Sequence, residues 1–295
     1  MAPHTDLVPI SKARHGHRFW RRFSSYDFAR PLAEVPIVAE EILHCASAFP
    51  VAFRRHGGGS RPGVTPVALL SLIPDQDSPF VSHNGRWLGT YVPSQLRSHP
   101  FASHSTGQGD QRAVLINETS GLITDDPRDE PFFAPDGTLA PGLAQVVQFF
   151  STRTAALQAT DVLCATLEAM ELFTPLTSHE GVELPPGLLT IDGAALKSLP
   201  DAHLVLLARQ DGLRLIHAHQ VSLQHCLWLD RASRQTGLTK ATPDTDTTSP
   251  GNDALDGFLS ALAQAQENDA MPGQPGEESK CLQVKPPLPE QGLPV

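Results

Sequence analysis

The chain has 295 residues, 40% of them apolar, and a formal net charge of −10. Such a length buries one substantial core or at most two small ones, since single domains run to roughly 100–200 residues. The acidic balance argues against a nucleic-acid partner, because phosphate recognition needs clustered Lys and Arg. No run approaches the roughly 18 consecutive apolar residues that span a bilayer, and no apolar stretch after Met1 reads as a secretory signal. A soluble protein without a transmembrane segment is expected.

The first thirty residues carry His15, Arg18, Arg21, Arg22 and Arg30 around Phe19, Trp20 and Phe23. This basic, aromatic arm is expected to dock on the body as an amphipathic strand, the alternative being a partner-binding or anionic-surface role. The spacing then predicts a helix opened by Pro36, with Val38, Ile42, Cys45 and Phe49 on its buried face and Pro50 ending it. Beyond it, short apolar runs over 51–53, 66–73, 79–81 and 113–116 read as strands of a mostly antiparallel sheet. Residues 57–59 are an open glycine loop and Asn84-Gly85 a hairpin turn.

A long helix is announced by Pro141 and reaches to near residue 172, with Leu143, Val147, Phe150, Leu157 and Cys164 at near-heptad spacing. Pro175 and Pro185-Pro186 force a loop, followed by a short strand over 188–191 and a helical turn over 193–199. From Ala202 one side stays apolar, and Gly212 divides the segment into two helices, although 213–216 also reads as a strand. After Arg234 the composition turns to Thr, Asp, Pro, Gly and Gln, with too little apolar area to offset its ordering entropy. The expected organisation is an α+β body over 1–235, a mostly antiparallel sheet packed with several helices, and a disordered acidic tail over 236–295. That tail holds nine acids against three lysines, −6 of the total −10. Within it Leu255, Phe258, Leu259 and Leu262 form an amphipathic island, either a transient helix or a docking segment.

The four cysteines, Cys45, Cys164, Cys226 and Cys281, are scattered without CxxC spacing. Small buried hydrophobes in a reducing compartment are used this way, so a cytoplasmic location is expected.

Several stretches carry a family likeness when taken together. They are LVPISKARHGHRFW over 7–20, GRWLGTYVPSQLRSHPF over 85–101, AVLINETSGLITDD over 113–126, DEPFFAPDGTLAP over 129–141, and the block from Leu188 to Leu223 that ends in HAHQVSL. Together they resemble the SapC family of bacterial proteins, named for an association with the surface-layer locus. The chain departs from that pattern at His217, where an aromatic is usual, and in the polar insert over 103–110. The resemblance implies an association with surface-layer or outer-membrane transport systems and with neighbouring genes for receptors and flavin-dependent halogenase-like proteins, but no reaction.

Among chemistry-bearing residues, Arg86, Trp87, Tyr91 and Arg97 combine planar donors with aromatic faces over a dozen positions. Those residue types suit a peptide or carboxylate pocket, and they equally suit a hairpin and a following helix near Pro93 that need Trp87 as core. His217, His219 and His225 raise the question of a metal. On a strand the first two would share a face, whereas on a helix they lie roughly 200° apart, and no metal site is expected. The acids Glu118, Asp125, Asp126, Asp129, Glu130 and Asp136 lack a calcium-loop pattern and read as solvated loops. Ser222 has no nucleophile-elbow motif around it, and Gly57-Gly58-Gly59 lacks the Lys-Ser that a phosphate loop requires, so no cofactor is expected. The reading is a non-enzymatic accessory protein with a protein or peptide partner. The alternative is an enzyme or obligate enzyme subunit acting on peptides, with a pocket around Arg86, Tyr91, Arg97 and His219.

Overall fold

Two hydrophobic clusters organise the chain, and one long helix contributes to both. The computed structural model describes residues 7–56, 63–73, 75–105 and 112–241. The glycines at 57–59, the middle of the polar insert, and the amphipathic island at 255–262 lie outside the described residues.

The N-terminal arm supplies β1 (Leu7–Pro9), the short helix α1 (Lys12–His15) and β2 (Phe19–Trp20). It is followed by β3 (Glu34–Pro36), α2 (Ile42–Ala46), β4 (Val51–His56) and β5 (Gly63–Leu69). Next come the single turn α3 (Ser94–Arg97), the hairpin β6 (Phe101–Ser105) and β7 (Arg112–Asn117), and the two-residue strands β8 (Ile123–Thr124) and β9 (Glu130–Pro131). Helix α4 (Pro141–Ala169) leads to β10 (Phe173–Pro175), β11 (Ser178–His179), β12 (Val182–Glu183) and β13 (Leu188–Ile191). Four helices follow: α5 (Gly193–Lys197), α6 (Asp201–Arg209), α7 (Gly212–Ser222) and α8 (Cys226–Ala241). The fold is α+β, as the sequence predicts.

The larger cluster lies on a five-stranded antiparallel sheet in the order β10-β13-β4-β5-β3. Helix α4 packs on β5, α7 on β4, and α2 on α7. The smaller cluster joins Trp20, Phe101, Ile116, Phe132, Leu143 and Phe150. Two three-stranded sheets, β1-β7-β6 and β8-β2-β9, supply its β-strand residues. Helix α4 gives Leu143 and Phe150 to the smaller cluster and Leu163, Cys164 and Leu167 to the larger. Its buried residues therefore follow two partners in turn rather than one heptad stripe, and Val147 is left 37% exposed.

The arm docks on the body, as two short strands around a helical turn rather than the expected strand, and charge explains where. Arg14 pairs with Glu118, Arg18 with Asp125 at 2.6 Å, and Arg22 with Glu130 at 3.5 Å. The acidic loops of the middle region are thus partners for the basic arm.

Two local expectations are corrected. Pro36 does not open a helix: it closes β3, an edge strand where a missing N–H breaks no ladder. The helical segment begins instead with a tight turn at Ala39–Glu41 and ends before Phe49, whose N–H bonds the Cys45 carbonyl. Residues 79–81 form no strand, only a single bridge between Val81 and Trp87. The Asn84-Gly85 turn is present nonetheless, and Gly85 has a φ of +79° with Ser25 Oγ 2.0 Å from where a Cβ would stand. Residues 213–216 are helical within α7, the two-helix reading of that segment, and α8 runs from Cys226 to Ala241.

Candidate functional site

Pro93 sets up the site. The residue before a proline is held extended, and Pro93 itself, at φ −53° and ψ 143°, starts the α3 turn. Ser94 and Arg97 stand three apart on that turn and so share a face. The Trp87 indole N–H donates to the Tyr91 carbonyl at 2.8 Å, which fixes the approach from the hairpin.

Glu41 is the hub beneath this turn, and only 5% exposed. Its Oε1 accepts from the Val38 N–H at 3.1 Å and the Ser94 hydroxyl at 2.8 Å. Its Oε2 accepts from the Ser94 N–H at 2.8 Å and the Tyr91 hydroxyl at 2.9 Å. Burial of a carboxylate requires donors of this number and kind. Each hydroxyl then relays to a guanidinium. Arg97 Nη2 donates to the Tyr91 hydroxyl at 3.2 Å, its Cζ standing 5.7 Å from the Tyr91 ring centroid. Arg153 Nε, on α4, donates to the Ser94 hydroxyl at 3.1 Å.

Electrostatics follows from burial. Burial and then the Glu41 charge hold the Tyr91 phenol well above its ordinary range, and the same two causes raise the Cys45 thiol. Burial lowers the Arg153 guanidinium, with Glu41 opposing that shift. Tyr91 therefore serves as a hydrogen-bond donor rather than as an activated base.

On its outer side Arg97 reaches a cleft of about 400 Å3. Trp20, Phe101, Phe149, Phe150, Phe23 and Tyr26 line it, with Arg22 and Gln145 among the polar groups. Trp20 meets Phe101 edge-on at 4.9 Å, and Phe149 meets Phe150 at 5.5 Å. His99 completes the lining, stacked on Phe28 at 3.8 Å, and burial pushes its pKa down to about 4. It is neutral at pH 7 and adds no charge.

The structure brings Trp87, Tyr91 and Arg97 together and leaves the other two candidates elsewhere. Arg86 is exposed in the hairpin turn, where its backbone pairs with Ser82. His219 is fully buried in the larger cluster. Its Nδ1 donates to the Val51 carbonyl at 2.7 Å and its Nε2 meets the Thr190 hydroxyl at 2.8 Å. Ser222 is equally engaged, accepting from the Val51 N–H at 2.9 Å and donating to the His219 carbonyl at 2.6 Å. His217 faces outward on the same helix, near Gln220.

Sequence reasoning missed Glu41, Ser94 and Arg153. The available signals were a carboxylate set between the apolar Val38 and Ile42, and an arginine four residues beyond Phe149 on one helix face.

Fold and site together define an α+β protein in which a buried carboxylate and two arginines support one side of an aromatic cleft. The chain belongs to the SapC family, whose model matches residues 10–229 and so spans every residue of the network and the cleft. Comparison with curated proteins and with solved structures finds no match.

Proposed function

We propose that this protein is a non-enzymatic accessory protein that binds a peptide, or the peptide-like end of a protein partner, in the cleft beside Arg97. It does so in the cytoplasm, in support of surface-layer or outer-membrane transport systems. The observation that carries the reading is an aromatic cleft of about 400 Å3 bordered by an arginine that a hydrogen bond to the Tyr91 hydroxyl orients. Apolar walls with a few placed polar groups are the general form of a ligand site. Membership of the SapC family supports the surface-layer association, and the buried free thiols of Cys45, Cys164 and Cys226 support a reducing compartment. Binding is favoured over catalysis because the hydrogen bonds of His219 and Ser222 serve the core, and the Tyr91 proton is held rather than activated.

The test is fluorescence titration of the full chain with a panel of short peptides, alongside a Val146→Trp variant that fills the cleft. Saturable binding lost in the variant supports the reading. An absence of binding, or equal binding by both proteins, contradicts it.

A further inference from the structure

Charge and shape narrow the ligand further, an inference that rests on the reading of the cleft as a peptide site. In the network one carboxylate, Glu41, faces two guanidiniums, Arg97 and Arg153, through the Tyr91 and Ser94 hydroxyls. The other arginine of the cleft, Arg22, has Glu130 at 3.5 Å. One positive charge is therefore in surplus, and it lies where Arg97 meets the cleft. Among the described residues Arg97 forms no ion pair, and its hydrogen-bond partner is the Tyr91 hydroxyl. Most of the five donors of its planar fork are left for a ligand.

Behind the cleft surface lies a buried polar group that the ligand does not reach. Trp20 is 4% exposed, and its indole N–H has no acceptor among the described residues.

We infer that the cleft takes the C-terminal end of a peptide, its free carboxylate on Arg97 and an aromatic or large aliphatic last side chain against Phe101, Phe149 and Phe150. An internal peptide segment offers Arg97 only neutral carbonyls. A terminal carboxylate offers two charged oxygens that match the guanidinium fork. The volume fits a chain end of a few residues, since ligand pockets span roughly 300–1,000 Å3 and this one is at the small end. Because Tyr91 already orients Arg97, little further ordering of that side chain is needed on binding.

The test titrates the full chain at pH 7 with Ala-Ala-Phe as free acid, with its C-terminal amide, and with Ala-Ala-Glu. The free acid binds about 10-fold or more tighter than the amide. Arg97→Gln removes that difference, Arg97→Lys keeps part of it, and Ala-Ala-Glu binds more weakly than Ala-Ala-Phe. Acid and amide binding equally, with both blocked by Val146→Trp, would overturn the carboxylate inference and leave the peptide reading standing. Binding of Ala-Ala-Glu as tight as that of Ala-Ala-Phe would overturn the apolar-side-chain half. No binding, or binding that Val146→Trp leaves intact, overturns the inference and the peptide reading together. Gln145→Trp serves in place of Val146→Trp if thermal melting shows that variant to be unfolded.

Discussion

Helix α7 and the aromatic cleft treat polar groups differently. On α7, at the larger cluster, His219 and Ser222 are drawn fully inside and their donors and acceptors are met by Val51, Thr190 and each other. At the smaller cluster the aromatic side chains open onto a cleft, and Arg97 at its border keeps donors that no described residue takes up. The first arrangement is what a core needs for stability. The second leaves donors and apolar area over for something outside the chain. Surplus of this kind marks the cleft, and not the two histidines of α7, as the candidate site.

Substitutions that separate the two regions test the contrast, beginning with the largest effect. Phe53 is fully buried against Phe173 and His219, so Phe53→Ala costs about 3–5 kcal/mol in urea unfolding. Half-buried Phe149 costs about 1 kcal/mol when truncated, yet loses peptide binding. Equal losses at the two positions would erase the distinction.

Glu41→Ala leaves the Val38 and Ser94 N–H groups without their acceptor and costs about 3–4 kcal/mol. Glu41→Gln, which keeps acceptor capacity, restores part of that loss in the same denaturation assay. A Glu41→Ala protein as stable as the parent would remove the network from the account.

His219 supplies a pH dependence. Burial is the main cause that holds its pKa at about 4, against an ordinary 6.5, so the unfolded chain takes up its proton first as pH falls. Its contribution to stability is complete above pH ~6.5 and declines by up to about 3 kcal/mol as pH approaches 4. His219→Gln flattens this slope in melting curves taken from pH 7 to 4. A residual slope of the same sign remains from His99, which burial also lowers to about 4. A parent protein whose stability rises on acidification over this range would contradict the sign.

The smallest effect on stability falls on the residue most important for binding. Arg97 is exposed, so Arg97→Gln changes unfolding by less than about 1 kcal/mol while binding of the free-acid peptide drops.

How much of this was legible in the sequence depends on the range of the forces involved. Pro141 opens α4, residues 188–191 form β13, and Gly212 starts α7 where local signals place them. Proline, glycine and periodicity act within a few residues. Pro36 misled because its strand is dictated by pairing with β5 across some thirty residues of chain. The site divides in the same way. Trp87, Tyr91 and Arg97 fall in one short stretch and were readable as a cluster. Glu41 and Arg153 meet Ser94 from 53 and 59 residues away, and no local pattern reports such a meeting. His219 looked chemical in sequence because its type is versatile. The face of α7 it occupies makes it part of the core.

The most direct measurement follows the indole N–H signals of Trp20, Trp87 and Trp228 in a nitrogen-15 correlation spectrum of the full chain. On addition of Ala-Ala-Phe, the Trp20 signal moves saturably while Trp228 stays in place, and the C-terminal amide moves Trp20 far less at equal concentration. A Trp20 signal that ignores the peptide, or that follows acid and amide alike, contradicts a cleft built for an apolar carboxylate.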